Sequence, residues 1–215
     1  DIDEHKLSLL KNHKNYNSSL FINKVNASDS EDVLNTVKAM KKLGSNIKKV
    51  KKSYIVYGIP PGGLFNPKSK LDFGNSGTGI RLIAGLISSN NIKAVLIGDR
   101  SLSSRPMKRV TEHLKKIGSI FILKRNNFLP MKIIGSPNPI PLNYNITIPS
   151  AQIKSSIMLS GLNTLGKIKI KEYASTRDHT ERMLKTMGYN INFKVKGKFR
   201  YIEMKSNKEL KPLNY

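Results

Sequence analysis

Three stretches follow one plan: Met40-Lys-Lys-Leu-Gly44-Ser-Asn-Ile47, Leu114-Lys-Lys-Ile-Gly118-Ser-Ile-Phe121 and Leu184-Lys-Thr-Met-Gly188-Tyr-Asn-Ile191. In each, an amphipathic helix carries basic residues in its last turn, where cations complement the negative end of the helix dipole, and it stops at a glycine free to take positive φ. A strand then follows. The glycines lie 74 and 70 residues apart, too far for a common solenoid repeat and about right for a βαβαββ unit. The chain therefore reads as one lobe, 1–215, built from three internal units at approximately 1–64, 65–138 and 139–215.

Periodicity fills in the units. The second contains a short strand at 70–73, a helix at 78–87 with Ile80, Ile83 and Ile87 on one face, and a buried strand at 92–97. Next comes a helix with Pro106 in its first turn and Met107, Val110, Leu114 and Ile117 inward, then strands at 119–123 and 131–134. The third unit repeats the series: strand 145–148, helix 151–162, strand 167–172, helix 179–187, and strands 191–195 and 201–204. The first unit is incomplete. It has a strand at 21–25, a helix opened by Ser30 with Glu31 and Asp32 in its first turn, and strands at 47–50 and 54–57, preceded only by a lysine-rich, helix-like fragment around 7–10. Pro141-Leu-Asn-Tyr144 leads into the first strand of the third unit, and Pro212-Leu-Asn-Tyr215 repeats it, so a fourth unit is expected to follow. The fold class is α/β (α+β).

Composition narrows the chemistry. With 38 Lys and Arg against 14 Asp and Glu, the chain carries a formal charge of +24, which predicts an anionic partner: nucleic acid, acidic lipid or a phosphorylated metabolite. There is no Cys, which excludes disulfides, thiolate metal sites and a cysteine nucleophile and suits the cytoplasm. No apolar run approaches the roughly 18 residues of a membrane span and no signal-type stretch opens the chain, so a soluble protein is expected. His5, His13, His113 and His179 show no metal-ligand spacing, and no pair of carboxylates is set for acid–base work. Neither metal nor cofactor is predicted.

Three segments sit where a strand hands over to a helix, so that free backbone N–H groups and the helix dipole can receive an anion. The first is Asp72-Phe-Gly-Asn-Ser-Gly-Thr-Gly-Ile-Arg81. Its glycines Gly74, Gly77 and Gly79 let amides approach a ligand, Asn75, Ser76 and Thr78 can hydrogen-bond, and Arg81 lies one helical turn in. A tight turn needing positive φ would explain the glycines equally well. In the second, Gly98-Asp-Arg-Ser-Leu-Ser-Ser-Arg-Pro-Met107, the planar forks of Arg100 and Arg105 precede a helix and suit a carboxylate or phosphate. The third is Pro149-Ser-Ala-Gln-Ile-Lys-Ser-Ser156, joined by Thr176-Arg-Asp-His-Thr-Glu-Arg182; a serine such as Ser150 at a helix start is first of all an N-cap.

In this order, Gly74-Asn-Ser-Gly-Thr-Gly-Ile-Arg81, Gly98-Asp-Arg-Ser-Leu-Ser-Ser-Arg-Pro-Met107, Ser150-Ala-Gln-Ile-Lys-Ser155 and Thr176-Arg-Asp-His-Thr-Glu-Arg-Met183 resemble the 5-enolpyruvylshikimate-3-phosphate synthase family. The likeness runs from about Phe21 to Tyr215 and is closest to the bacterial branch that includes glyphosate-tolerant members. It implies one lobe of an inside-out α/β barrel, three βαβαββ units around buried helices, in an enzyme whose two lobes close over shikimate 3-phosphate and phosphoenolpyruvate. By resemblance, Ser150, the Ala151 amide, Gln152 and Arg177 hold shikimate 3-phosphate. Asn75, Gly77, Thr78 and Arg105 line the phosphoenolpyruvate pocket, and Arg81 supports its loop. The implied reaction adds the 5-hydroxyl of shikimate 3-phosphate to the enol carbon and expels phosphate. A cytoplasmic monomer is expected, without nucleic acid or membrane as partner.

Two departures qualify the likeness. The family's Lys-Ser/Arg motif should open the first unit, where Asp1-Ile-Asp-Glu-His-Lys-Leu-Ser-Leu-Leu10 matches neither the Lys nor the Arg. The family's acid and base carboxylates belong to the other lobe, so no catalytic residue is assigned in this chain and it is expected to be inactive alone. A lobe similar to UDP-N-acetylglucosamine enolpyruvyl transferase shares the architecture but normally uses a cysteine. A basic nucleic-acid-binding module would explain the charge, yet its stacking and groove-reading motifs are missing and the lysines are dispersed.

Overall fold

Gly44, Gly118 and Gly188 take φ values of 104°, 98° and 76°, the region where a side chain would be strained, and each ends a helix. In the first and third cases the next residue returns its N–H to the last turn, Ser45 to the Met40 carbonyl and Tyr189 to the Leu184 carbonyl, at 3.0 and 2.9 Å. The computed structural model describes residues 22–26, 28–206 and 210–212. The expected fragment around 7–10, the segment matched to the Lys-Ser/Arg motif and the final Leu-Asn-Tyr215 lie outside the described residues.

Each glycine-ended helix belongs to one sheet. The first sheet comprises β1 (Ile22–Asn26), β2 (Ile47–Val50) and β3 (Ser53–Tyr57), with helix α1 (Glu31–Lys42) between β1 and β2. The second comprises β4 (Leu71–Asp72), β5 (Lys93–Ile97), β6 (Ile120–Lys124) and β7 (Phe128–Ile134), with helices α2 (Gly77–Ser88), α3 (Arg100–Ser103) and α4 (Lys108–Lys115). In the third are β8 (Asn143–Asn145), β9 (Lys167–Tyr173), β10 (Ile191–Lys196) and β11 (Phe199–Lys205), with helices α5 (Ala151–Gly161) and α6 (His179–Thr186). The orders are β4-β5-β7-β6 and β8-β9-β11-β10. In both, the first pair is parallel and the rest antiparallel, with Leu71 opposite Leu96 and Tyr144 opposite Ile170. The first sheet, β1-β3-β2, repeats this order without the parallel strand among the described residues.

The helices divide by composition. α1, α4 and α6 are amphipathic, whereas α2 and α5 are enclosed: Ile80, Ile83, Ala84 and Ile87 of α2 and Ile153, Ile157 and Met158 of α5 are all buried. Small residues let these two approach. A Cβ on Gly85 would lie 2.1 Å from the Ser156 carbonyl oxygen, and Ser156 Oγ donates to the Arg81 carbonyl at 2.8 Å. Leu43, Phe73, Leu96, Met107, Ile133, Ile170 and Met204 complete one continuous core around them, each large side chain worth about 1.5–3 kcal/mol when fully buried.

Several element ends differ from expectation. The strand expected at 145–148 pairs at 143–145 instead, because Ile146 makes the last bond, to the Lys171 carbonyl at 2.8 Å, and Pro149 cannot continue a ladder. Pro106 falls outside α4. The Met107 and Lys108 amides are taken by the carbonyl and side-chain oxygens of Asn127 at 2.8 and 3.0 Å, which sets the helix start there. The loop ahead of it contains α3, capped by Asp99 accepting from the Leu102 amide at 2.6 Å, a helix absent from the expectations. Ser30 precedes α1 without a side-chain cap; its Oγ accepts instead from Ser28 Oγ at 3.2 Å.

Where α4 meets β8, the rings of His113 and Tyr144 lie 6.1 Å apart, and the buried His113 Nδ1 and Tyr144 hydroxyl have no hydrogen-bond partner among the described residues. Burial first, then Lys116, pushes the His113 pKa down against a smaller upward pull from Glu112. The folded state thus favours neutral imidazole, so this contribution to stability is fully present above the unfolded pKa of about 6.5 and is lost as pH falls through the lower folded value. Urea unfolding at pH 7.5 and pH 5 should show a smaller acid-induced loss for His113→Gln than for the parent. Equal losses would mean that His113 is not the group being titrated.

Candidate functional site

α2 and α5 begin at one edge of the lobe, where Gln152 Nε2 donates to Thr78 Oγ1 at 2.8 Å across 74 residues of sequence. The glycine-rich turn before α2 is fixed from within. Gly74 takes φ +53°, its amide donates to Asp72 Oδ1 at 2.9 Å, and its carbonyl accepts from the Asp99 amide at 2.9 Å. Ser76 is buried and caps α2 by accepting from the Gly79 amide at 3.2 Å, so its hydroxyl belongs to the helix rather than to a ligand. Gly77, the first residue of α2, does not have positive φ. The turn therefore does not explain it. A Cβ there would meet Arg105 Nη1 and Arg81 Nη1, each at 3.0 Å.

Those two guanidiniums define the electrostatics. Arg105 donates to Asn75 Oδ1 and, at 3.2 Å, to Ser101 Oγ. Arg81 donates to the Gly77 carbonyl at 2.9 Å and to the Pro106 carbonyl at 3.4 Å, tying the turn to the loop ahead of α4. Burial, then Arg105 and Arg109, pushes the Arg81 pKa down. Arg81, Arg105 and Arg109 form no ion pair among the described residues. Three neighbouring cations near a helix start, with no ion-paired carboxylate among the described residues, have the chemistry to receive an anion. Arg100, grouped with Arg105 in the sequence reading, lies in α3 and is exposed.

At α5, Ser150 accepts from the Ile153 amide at 3.3 Å, the N-cap role expected of it, with Ala151 and Gln152 in the first turn. Arg177 is exposed and its guanidinium makes no hydrogen bond or ion pair among the described residues, while its carbonyl accepts from Lys154 Nζ at 2.6 Å. Asn75, Gly77, Thr78, Arg81, Arg105 and Gln152 are thus linked directly, Ser150 and Ala151 adjoin them on α5, and Arg177 reaches the same helix through its backbone. Sequence reasoning missed Lys154, Glu172, Glu181 and Arg200, which lie buried beneath the Arg177 loop. Among the described residues no group of His, Asp or Glu is placed to hold a metal ion, and no helix is long and apolar enough to cross a membrane.

The family model described as EPSP synthase (3-phosphoshikimate 1-carboxyvinyltransferase) matches residues 23–215. The chain is 43% identical over 185 residues to the 3-phosphoshikimate 1-carboxyvinyltransferase of Zymomonas mobilis subsp. mobilis, covering 86% of this chain and 41% of the relative. Identity to the enzyme of that name from Ruegeria sp. is 41%, with the same coverage. It superimposes on the EPSP synthase from Acinetobacter baumannii with a TM-score of 0.82 at 34% identity, covering 90% of this chain and 43% of that one. The chain thus spans about two fifths of the length of these relatives.

Proposed function

Because the chain belongs to the EPSP synthase family, we propose that it is the substrate-binding lobe of a cytoplasmic, monomeric transferase that moves the enolpyruvyl group of phosphoenolpyruvate onto the 5-hydroxyl of shikimate 3-phosphate. Ser150, the Ala151 amide, Gln152 and Arg177 hold shikimate 3-phosphate. Asn75, Gly77, Thr78 and Arg105 receive phosphoenolpyruvate, with Arg81 supporting the turn. The hydrogen bond from Gln152 to Thr78 carries this reading, because it sets the two proposed subsites side by side at two helix starts. There the hydroxyl oxygen of one phosphorylated anion can be held against the enol carbon of the other, and the arginines offset charge repulsion between the substrates. Proton transfer is left to carboxylates of a second lobe.

Titrating the 15N-labelled 215-residue chain with shikimate 3-phosphate is expected to shift the amides of Ser150, Ala151, Gln152 and Arg177, with weak, salt-sensitive affinity because no described element closes over the site. Shifts confined to distant basic strands would refute the assignment. The chain alone is expected to show no measurable turnover.

A sharper expectation concerns Gly77. Its backbone tolerates Ala, and the added methyl meets side-chain ends rather than backbone, Arg105 and Arg81 at 3.0 Å and Leu102 at 3.7 Å. In the two-lobed enzyme, Gly77→Ala should leave the melting temperature nearly unchanged and weaken inhibition by glyphosate about tenfold or more, while raising KM for the smaller phosphoenolpyruvate less. Unchanged inhibition would show that this turn does not border the inhibitor.

A further inference from the structure

Lys154, Glu172 and Glu181 are fully buried and Arg200 is nearly so. Lys154 Nζ lies 2.8 Å from Oε1 of both glutamates, and Arg200 Nη1 approaches the same two oxygens at 2.8 and 3.4 Å. Two cations and two carboxylates cancel. The remaining donors turn to one loop: Lys154 Nζ donates to Thr176 Oγ1 at 2.9 Å and to the Arg177 carbonyl at 2.6 Å. Arg200 donates to the carbonyls of Thr176 and Ala174 at 3.1 and 3.2 Å, and Thr176 Oγ1 donates to Glu172 Oε2 at 2.5 Å. Three carbonyls between residues 174 and 177 are thus held by buried charge.

Burying four ions is costly, and well-packed apolar side chains of similar volume would give equal or greater stability. Apolar side chains cannot fix loop carbonyls. Lys154 also lies on the helix whose first turn carries Gln152, so it joins two segments 23 residues apart in sequence. We infer that Lys154, with Glu172, Glu181 and Arg200, is a positioning group that holds the 174–178 loop against the start of α5 and so sets the Arg177 guanidinium for the phosphorylated substrate. The inference rests on the proposed role of Arg177. Glu181 Oε2 is buried without a hydrogen-bond partner among the described residues and does no part of this holding.

Lys154→Met alone leaves two buried carboxylates facing one Arg and can fail to fold. The test therefore uses Lys154→Met with Glu181→Gln, which keeps the charge balanced with Glu172 and Arg200 still paired. In the 215-residue chain this double variant should unfold cooperatively and keep slow amide exchange in β9 and α5, while the amides of residues 175–178 exchange at least tenfold faster. Its dissociation constant for shikimate 3-phosphate, followed by chemical shift, should rise about tenfold. Adding Arg177→Ala to it should then cost much less affinity than Arg177→Ala costs the parent. Unchanged loop exchange, or a full additional loss on adding Arg177→Ala, overturns the inference. An Arg177→Ala parent that binds as before overturns the substrate role of Arg177 itself, and the inference falls with it. A lower melting temperature with unaltered binding reduces the cluster to a purely structural one.

Discussion

Gly85→Ala is expected to abolish the folded lobe or leave it barely stable. The new methyl would lie 2.1 Å from the carbonyl oxygen of Ser156 and 2.7 Å from its hydroxyl. The carbonyl belongs to the backbone of a buried helix, so relief requires α2 and α5 to part, opening the centre of the core. Overpacking costs typically 1–3 kcal/mol where side chains can adjust, and backbone that cannot give puts this case at about 3 kcal/mol or more. That is a large fraction of the 5–15 kcal/mol of a whole domain. Gly161→Ala in α5 is the control, since its Cβ would meet the ends of Ile168 and Met204 at 3.0 and 3.4 Å. Thermal unfolding followed by circular dichroism should show a drop for Gly85→Ala several times that for Gly161→Ala. Equal drops would mean that the helices separate easily.

Arg105→Ala should raise KM for phosphoenolpyruvate about 100-fold in the two-lobed enzyme while leaving the fold intact. A hundredfold is about 2.7 kcal/mol, within the 2–5 kcal/mol expected for truncating one partner of a desolvated charged pair. In a buffer without a binding oxyanion stability should not suffer, because Arg105 is one of the charges that push the Arg81 pKa down, and its removal relieves a repulsion. Arg105→Lys should restore little, since a point charge cannot reproduce a planar fork donating to Asn75, Ser101 and an anion together. Steady-state kinetics with each substrate varied in turn decides the matter. A similar rise in KM for both substrates would remove Arg105 from the phosphoenolpyruvate subsite.

The repeat was legible because helix ends depend on local chemistry: lysines against a dipole and a glycine at positive φ read the same way in three places. Turns set by distant partners were not. The start of α4 depends on Asn127, and the end of β8 on Lys171, and neither shows in the local string. The buried tetrad did leave a trace. Glu172 follows Ile168 and Ile170 at the inward spacing of a strand, and Arg200 precedes Ile202 and Met204 in the same way. Charged residues in phase with the core face imply buried partners, but which cation meets which carboxylate is decided by how the strands pair. The proposed anion-binding residues came from the resemblance carried by the ordered motifs; their convergence required the packing of α2 against α5.

Two enclosed helices starting side by side present their positive ends together, next to Arg81, Arg105 and Arg109. Without an anion these like charges lie against one another, so any oxyanion that occupies the edge ties its binding to unfolding by mass action. At a hundredfold excess over its dissociation constant, such a ligand adds about 2.7 kcal/mol to the folded state. The proposed anion site thus predicts a buffer-dependent melting temperature: phosphate or sulfate should raise it where chloride at equal ionic strength does not. Variants that weaken the anion site will look destabilised in phosphate and normal in a non-binding buffer.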